Sequence, residues 1–165
     1  SFFIKYWIGA NDENVLILVH RAELVQQTVK SLNKLGVDVE VIGKGERTIK
    51  KNCRVHIVMV QTLIRRLRKY ENYLPNIGLM IVDEAQNFTP YEIKTLIERT
   101  AENTKLIILG DPLQVDRGTI ERNGITWAMA NYLQQPYCGG IYLPNNYRSQ
   151  MSDDARGLFA FSDGS

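Results

Sequence analysis

Two adjacent acids end an apolar run at Ile81-Val82-Asp83-Glu84, and Ala85-Gln86-Asn87 continues the segment. A strand buried in a sheet would deliver both carboxylates into the crevice at its end. One of them, Asp83, can hold Mg²⁺, which prefers hard oxygen ligands and keeps several waters. The other, Glu84, can orient and deprotonate an attacking water. A second apolar run, Lys105–Leu109, leads into Gly110-Asp111-Pro112-Leu113-Gln114. Gly110 permits a tight turn and Pro112 fixes it, which presents Gln114 near the same crevice. A carboxamide there can bond both a terminal phosphate and the water that attacks it. Each segment also admits a structural reading: a solvated acid pair capping the next helix, and an ordinary Gly-Asp-Pro turn.

Positive charge gathers elsewhere. Lys44, Arg47, Lys50, Lys51 and Arg54 lie between or beside two strand-like segments, with Glu46 the one acid among them. Arg65, Arg66, Arg68 and Lys69 follow on a short helix-like stretch. A basic stripe of this kind suits a nucleic-acid backbone, and it equally suits a solvated face. A helix starting after Val60 would aim free N–H groups at a phosphate. Tyr70 and Tyr73 nearby suit packing better than base stacking.

The elements that must position these groups alternate in type. Val15–His20 is a continuous apolar run, the pattern of a strand buried on both faces. Arg21–Leu35 has helical spacing and is closed by Gly36. Val37–Ile42 and Arg54–Val60 read as strands, Gln61–Tyr70 as a helix, and Gly78–Asp83 as a strand. Thr89-Pro90-Tyr91-Glu92 has the N-cap, the first-turn proline and the glutamate of a capping box, opening a helix to about Thr100. Lys105–Leu109 is the next strand, Thr119–Gln134 is helix-like, Gly140–Leu143 strand-like, and a last helix-like stretch starts near Ser152. Such alternation with short connections predicts an α/β domain with a mostly parallel sheet and helices on both faces. Ligands bind such sheets at the carboxyl ends of the strands. His20–Arg21, Gln61–Thr62, Asp83–Glu84 and Gly110–Asp111 all fall there.

The 165 residues (18.9 kDa) fit one domain, and 44% hydrophobic with 23% charged residues is ordinary globular usage. The net charge of +2 decides nothing. No apolar run approaches the ~20 residues of a membrane span. Ser1–Gly9 lacks the basic leader and cleavage site of a secretory signal, so the expected location is the cytoplasm. Cys53 and Cys138, 85 positions apart, read as two reduced thiols rather than a disulfide framework or a structural zinc site.

DEAQ at 83–86 followed by GDPLQ at 110–114 resembles the Walker B and sensor motifs of superfamily 1 helicases and PhoH-like ATPases. Met80–Asp116 is most similar to the PhoH-like family. Leu143-Pro144-Asn145-Asn146-Tyr147-Arg148-Ser149 resembles the NYRS motif of superfamily 1, whose arginine reaches the γ-phosphate; here that is Arg148. The first half resembles a different branch. Val15–Thr28 is similar to motif Ia of superfamily 2 DEAD/DEAH-type helicases, and Val58–Leu63 to their motif Ib. In that branch these loops grip the nucleic-acid backbone, which implicates His20, Arg21, Gln61 and Thr62. DEAQ and GDPLQ depart from the DEAD or DEAH and Ser-Ala-Thr motifs of superfamily 2, so the resemblance falls into two parts.

The resemblance implies a RecA-like nucleotide-hydrolysing fold. ATP and Mg²⁺ would be the cofactors, with Asp83, Glu84, Gln114 and Arg148 around them. Single-stranded DNA or RNA would be the partner, without a membrane. The phosphate-loop pattern G-x-x-x-x-G-K-[ST] does not occur; Gly43-Lys44-Gly45 is the only Gly-Lys and fails it. Phe2–Ile8 reads as the tail of a helix. The expectation is therefore a single partial RecA-like domain over 1–165, incomplete at its N-terminus, with sheet and helices to about 143 and the NYRS loop and a helix over 144–165. The Walker A segment and a second RecA-like domain would lie elsewhere in a full-length protein, and this chain alone would show weak turnover or none. A helicase or translocase motor is the leading reading. A PhoH-like ATPase acting on RNA, a non-catalytic nucleic-acid-binding module, and a chimeric sequence are the alternatives.

Overall fold

A computed structural model of the chain describes residues 2–43, 52–70, 73–74, 76–116 and 119–143. Ten regular elements alternate along it. They are α1 (Phe2–Ala10), β1 (Asn14–Val19), α2 (Ala22–Asn33), β2 (Val39–Ile42), β3 (Val55–Met59), α3 (Val60–Lys69), β4 (Ile77–Val82), α4 (Pro90–Glu98), β5 (Lys105–Ile108) and α5 (Gly124–Tyr132). Single 3-10 turns cover Ala85–Asn87 and Ile120–Arg122. The five strands form one sheet in the order β2-β3-β1-β4-β5, and every pairing is parallel.

The central strands β3, β1 and β4 are mostly apolar because both of their faces are covered, with His56 of β3 the buried polar exception. Leu16 and Leu18 of β1, Val58 of β3, and Met80 and Val82 of β4 pack with Leu63 and Leu67 of α3, Ile93 and Leu96 of α4 and Ala128 of α5. Val15, Ile17 and Val19 of β1, Ile57 of β3, and Leu79 and Ile81 of β4 pack the other way, with Ile4 of α1 and Val25 and Leu32 of α2. Leu32 is fully buried, and truncating such a leucine to alanine costs about 2–5 kcal/mol. The helices thus divide between the two faces, and the architecture is the RecA-like α/β fold.

Local chemistry sets the element ends. Gly36 has a φ of 73°, the left-handed conformation that closes α2. Thr89 accepts from the Glu92 amide at 3.1 Å, and the Glu92 carboxylate accepts from the Thr89 amide at 2.9 Å, so the capping box of α4 is complete. Two expectations need correction. The stretch from Thr119 is two pieces, because Asn123 accepts from the Thr126 amide and starts a new helix there. Gly140–Leu143 forms no strand. The expected final helix and the NYRS loop lie outside the described residues.

The chain divides into two compact units, residues 1–134 and 135–165. The described part of the second, 135–143, has no helix or strand; the Cys138 amide donates to Gln135 O at 3.0 Å. No described helix is long and apolar enough to cross a membrane.

Candidate nucleotide site at the sheet switch point

The topology marks one crevice. From β1 the chain passes through α2, on one face, to β2 at one side of the sheet; from β4 it passes through α4, on the opposite face, to β5 at the other side. Adjacent parallel strands whose connections part in this way leave an opening at their carboxyl ends. His20 and Arg21 follow β1 there, and Asp83 and Glu84 follow β4. Leu18 pairs with Val82 across the two strands, and Val82 pairs with Ile108 of β5. The loop after β5 therefore begins beside the acids.

Asp83 continues the ladder by donating its amide to Leu18 O at 3.0 Å. Burial pushes its carboxyl above the usual range; the Glu84 amide, donating at 3.1 Å, opposes the shift. Glu84 then turns the chain with a φ of 53° and ψ of 49°. It is the one non-glycine residue with positive φ among the described residues. A left-handed glutamate costs about 1–3 kcal/mol, and such strain persists where surrounding contacts over-determine it. Here those contacts are visible. The next amide, Ala85 N–H, donates to Leu109 O at 2.8 Å. Gln86 Oε1 accepts from the Asp111 amide at 3.2 Å, and Asn87 Oδ1 accepts from the Asp116 amide at 2.7 Å. Gln86 and Asn87 are buried.

Two glycines make this close approach possible. A Cβ on Gly110 would meet Gln86 Oε1 at 2.5 Å, and one on Gly124 would meet Ile93 at 2.6 Å and the Ala85 and Phe88 carbonyl oxygens at 2.9 Å. The Gly124 amide donates to Phe88 O at 2.7 Å, so α5 supports the turn from behind.

The Glu84 carboxylate is about one-third exposed and faces two bases. His20 Nδ1 and Arg21 Nη2 each stand 3.4 Å from Oε2, and Arg21 Nη2 also reaches Asp116 Oδ2 at 3.1 Å. The His20 side chain is buried, with its ring edge-on to Phe88. It therefore faces the acids from inside, while Arg21 next to it is exposed. Gln114 is exposed on the loop after β5, where its Nε2 donates to Asp111 Oδ2 at 2.8 Å. Gln61 and Thr62 stand half-buried in the first turn of α3, one strand across, where Met59 of β3 pairs with Val19 of β1. Arg148 lies outside the described residues.

The donor set at Asp83 fits Mg²⁺: a hard carboxylate at a strand end, half-buried beside a second acid. His20, Glu84 and Asp116 also bring one ligand atom each within 4.8 Å of one another, but the Arg21 guanidinium already pairs with both acids there.

The basic stripe is less uniform than its sequence suggests. Arg54 donates to the carbonyl oxygens of Ile8, Asn11 and Glu13, tying down the end of α1. Arg66 is buried and donates to Tyr73 Oη at 2.7 Å and to Gly43 O. Arg65, Arg68 and Lys69 remain on the exposed face of α3. Tyr73 is buried and stacks on Tyr70 with centroids 6.2 Å apart, a packing role. Lys44, Arg47, Lys50 and Lys51 are outside the described residues.

Sequence reasoning missed Asp116, Asn87 and Gly124. Asn87 was visible beside DEAQ, but its bond to a residue 29 positions away is set by the fold.

An all-parallel sheet with paired acids at its switch point and a Gly-Asp turn beside them is the core of a P-loop helicase or ATPase. Residues 2–110, well over half the chain, match the family described as type III restriction enzyme, res subunit, and the chain belongs to that family. Residues 74–151 also match the PhoH-like protein family. Among curated proteins, the chain is 36% identical over 81 residues to "Protein PhoH2" of Bacillus subtilis (strain 168), covering 48% of this chain and 18% of that protein. It is 37% identical over 102 residues to "Putative ATP-dependent helicase IRC3" of Saccharomyces cerevisiae, covering 58% of this chain and 14% of that one. The chain thus spans less than a fifth of the length of either relative. The two family matches overlap over 74–110, which holds the Asp83–Glu84 turn. The two-part resemblance read from the motifs is reproduced.

Proposed function

We propose that these residues form part of an ATP-dependent nucleic-acid motor, a helicase or translocase acting on single-stranded DNA or RNA. The observation that carries the reading is the Asp83–Glu84 turn at the β1/β4 switch point, braced by Gln86, Asn87, Gly110 and Gly124. Asp83 would hold Mg²⁺, which supplies charge neutralisation at the phosphates. Glu84 would orient and deprotonate the attacking water; its strained turn aims the carboxylate out of the sheet. Gln114, once its carboxamide leaves Asp111, would contact the terminal phosphate, and Arg148 would add positive charge there. Such hydrolysis draws on positioning and charge stabilisation more than on covalent chemistry. Arg21, Gln61 and Thr62 would contact the strand backbone, with His20 supporting Arg21 and Glu84 from within, and Arg65, Arg68 and Lys69 would add phosphate-directed charge.

The PhoH-like match over 74–151 favours a second reading, an ATPase acting on RNA. One experiment tests both. ATP hydrolysis by the full-length protein with Mg²⁺ is measured alone, with single-stranded DNA, and with single-stranded RNA. Stimulation by either strand supports a motor, and stimulation by RNA alone supports the second reading. Turnover unchanged by both strands contradicts both.

A further inference from the structure

Arg21 is shared between two acids on different loops. Its Nη2 lies 3.1 Å from Asp116 Oδ2, on the loop after β5, and 3.4 Å from Glu84 Oε2, after β4. Arg21 itself follows β1, so one side chain ties the ends of three strands together. Its contact falls on the carboxylate that the proposed chemistry needs as a base. A guanidinium beside one carboxylate oxygen stabilises its negative charge and so weakens it as a base.

We propose that Arg21 is a two-position latch: it holds Glu84 and Asp116 when no strand is bound, and a nucleic-acid phosphate draws it away and frees both. The inference rests on the motor reading above and adds the means by which strand binding would license hydrolysis.

Three observations support it. The latch is exposed: the Arg21 side chain is 48% accessible, and those of Glu84 and Asp116 are 32% and 55% accessible. Exposed ion pairs contribute little net stability, so a competing anion can replace them. A phosphate offers a guanidinium the same paired acceptors as a carboxylate, so the exchange replaces like with like. Release would also act on both halves of the site at once. Glu84 would lose the guanidinium while keeping His20 beside it, and the Asp111–Asp116 loop that carries Gln114 would lose one tether. Asn87 still holds that loop through the Asp116 amide, so the loop gains freedom without detaching.

Coupling between two equilibria is reciprocal. If a phosphate loosens the latch, loosening the latch must strengthen phosphate binding, and only through Arg21. The test is fluorescence anisotropy of a labelled oligothymidylate and a labelled oligouridylate titrated with this chain. Four forms are compared: wild type, Glu84→Gln/Asp116→Asn, Arg21→Ala, and the triple variant. All three side chains are about one-third exposed or more, and thermal melts check that each form folds. The expected result is that the double variant binds about fivefold tighter than wild type or better, while the triple variant binds no tighter than Arg21→Ala. An equal gain in both backgrounds would be a general effect of removing negative charge and would overturn the latch alone. Absence of binding by both wild type and the double variant would overturn the nucleic-acid reading and the latch with it.

Discussion

The sheet carries two histidine–glutamate pairs, and they differ in everything but residue type. His56 Nδ1 and Glu40 Oε2 lie 2.7 Å apart on neighbouring strands β3 and β2, both buried, on the face covered by α3 to α5. His20 and Glu84 stand 3.4 Å apart at the carboxyl ends of β1 and β4, with the histidine buried and the acid reaching solvent. The first pair is sealed within the strands, on ordinary extended backbone. The second sits where the chain leaves the sheet in opposite directions, on a strained turn, beside Asp83 and Arg21. Residue type does not make a site here. The end of a strand at a switch point is what marks the candidate one.

That contrast predicts opposite responses to mutation. His56→Ala removes the partner of a buried carboxylate, and breaking such a pair costs about 3–5 kcal/mol. Urea titration of the two proteins reads it as a lower midpoint. His20→Ala should cost less, because Glu84 keeps solvent and Arg21. Equal losses would erase the distinction between the pairs.

Gly124→Ala comes next. Its Cβ would press on Ile93 and on the Ala85 and Phe88 carbonyl oxygens. Overpacking of this kind costs about 1–3 kcal/mol. Because those carbonyls belong to the turn that carries Glu84, the variant should also lose turnover per folded molecule. A purely structural loss would show α5 to be scaffold and nothing more.

The smallest expected effect is on pH dependence. Burial holds His56 below its ordinary value of 6.5, against the pull of Glu40. The unfolded chain therefore binds a proton first as pH falls, and stability that is complete above about 6.5 declines below it. Thermal unfolding between neutral and mildly acidic pH should show that slope, and His56→Asn should flatten it. A slope unchanged in His56→Asn would mean that other groups govern it.

Much of this was legible in the residues. Apolar runs such as Val15–His20 and Gly78–Asp83 marked strands covered on both faces, and Gly36 and the Thr89 capping box fixed helix ends by chemistry confined to one turn. Asp83 and Glu84 stood out because adjacent acids end an apolar strand, a pattern that also admits a helix cap, and GDPLQ after the next strand points to the same crevice. What the sequence hid was long-range. Arg54 and Arg66 look like their exposed neighbours Arg65 and Arg68, yet each is consumed by backbone oxygens brought close only by the fold. The short run Gly140–Leu143 has strand-like residues and forms no strand. Asn123 divides a helix-like stretch because its side chain competes for the Thr126 amide.

The central claim is that position at the switch point makes Glu84 chemical and leaves Glu40 structural. The most direct measurement is phosphate release from ATP by the full-length protein carrying Glu84→Gln or Glu40→Gln, each normalised to folded protein, with binding of a fluorescent ATP analogue measured in parallel. Glu84→Gln should lower turnover by about 10²-fold or more while binding persists, as loss of a general base does. Glu40→Gln should leave turnover per folded molecule unchanged. Wild-type turnover in Glu84→Gln would contradict the account.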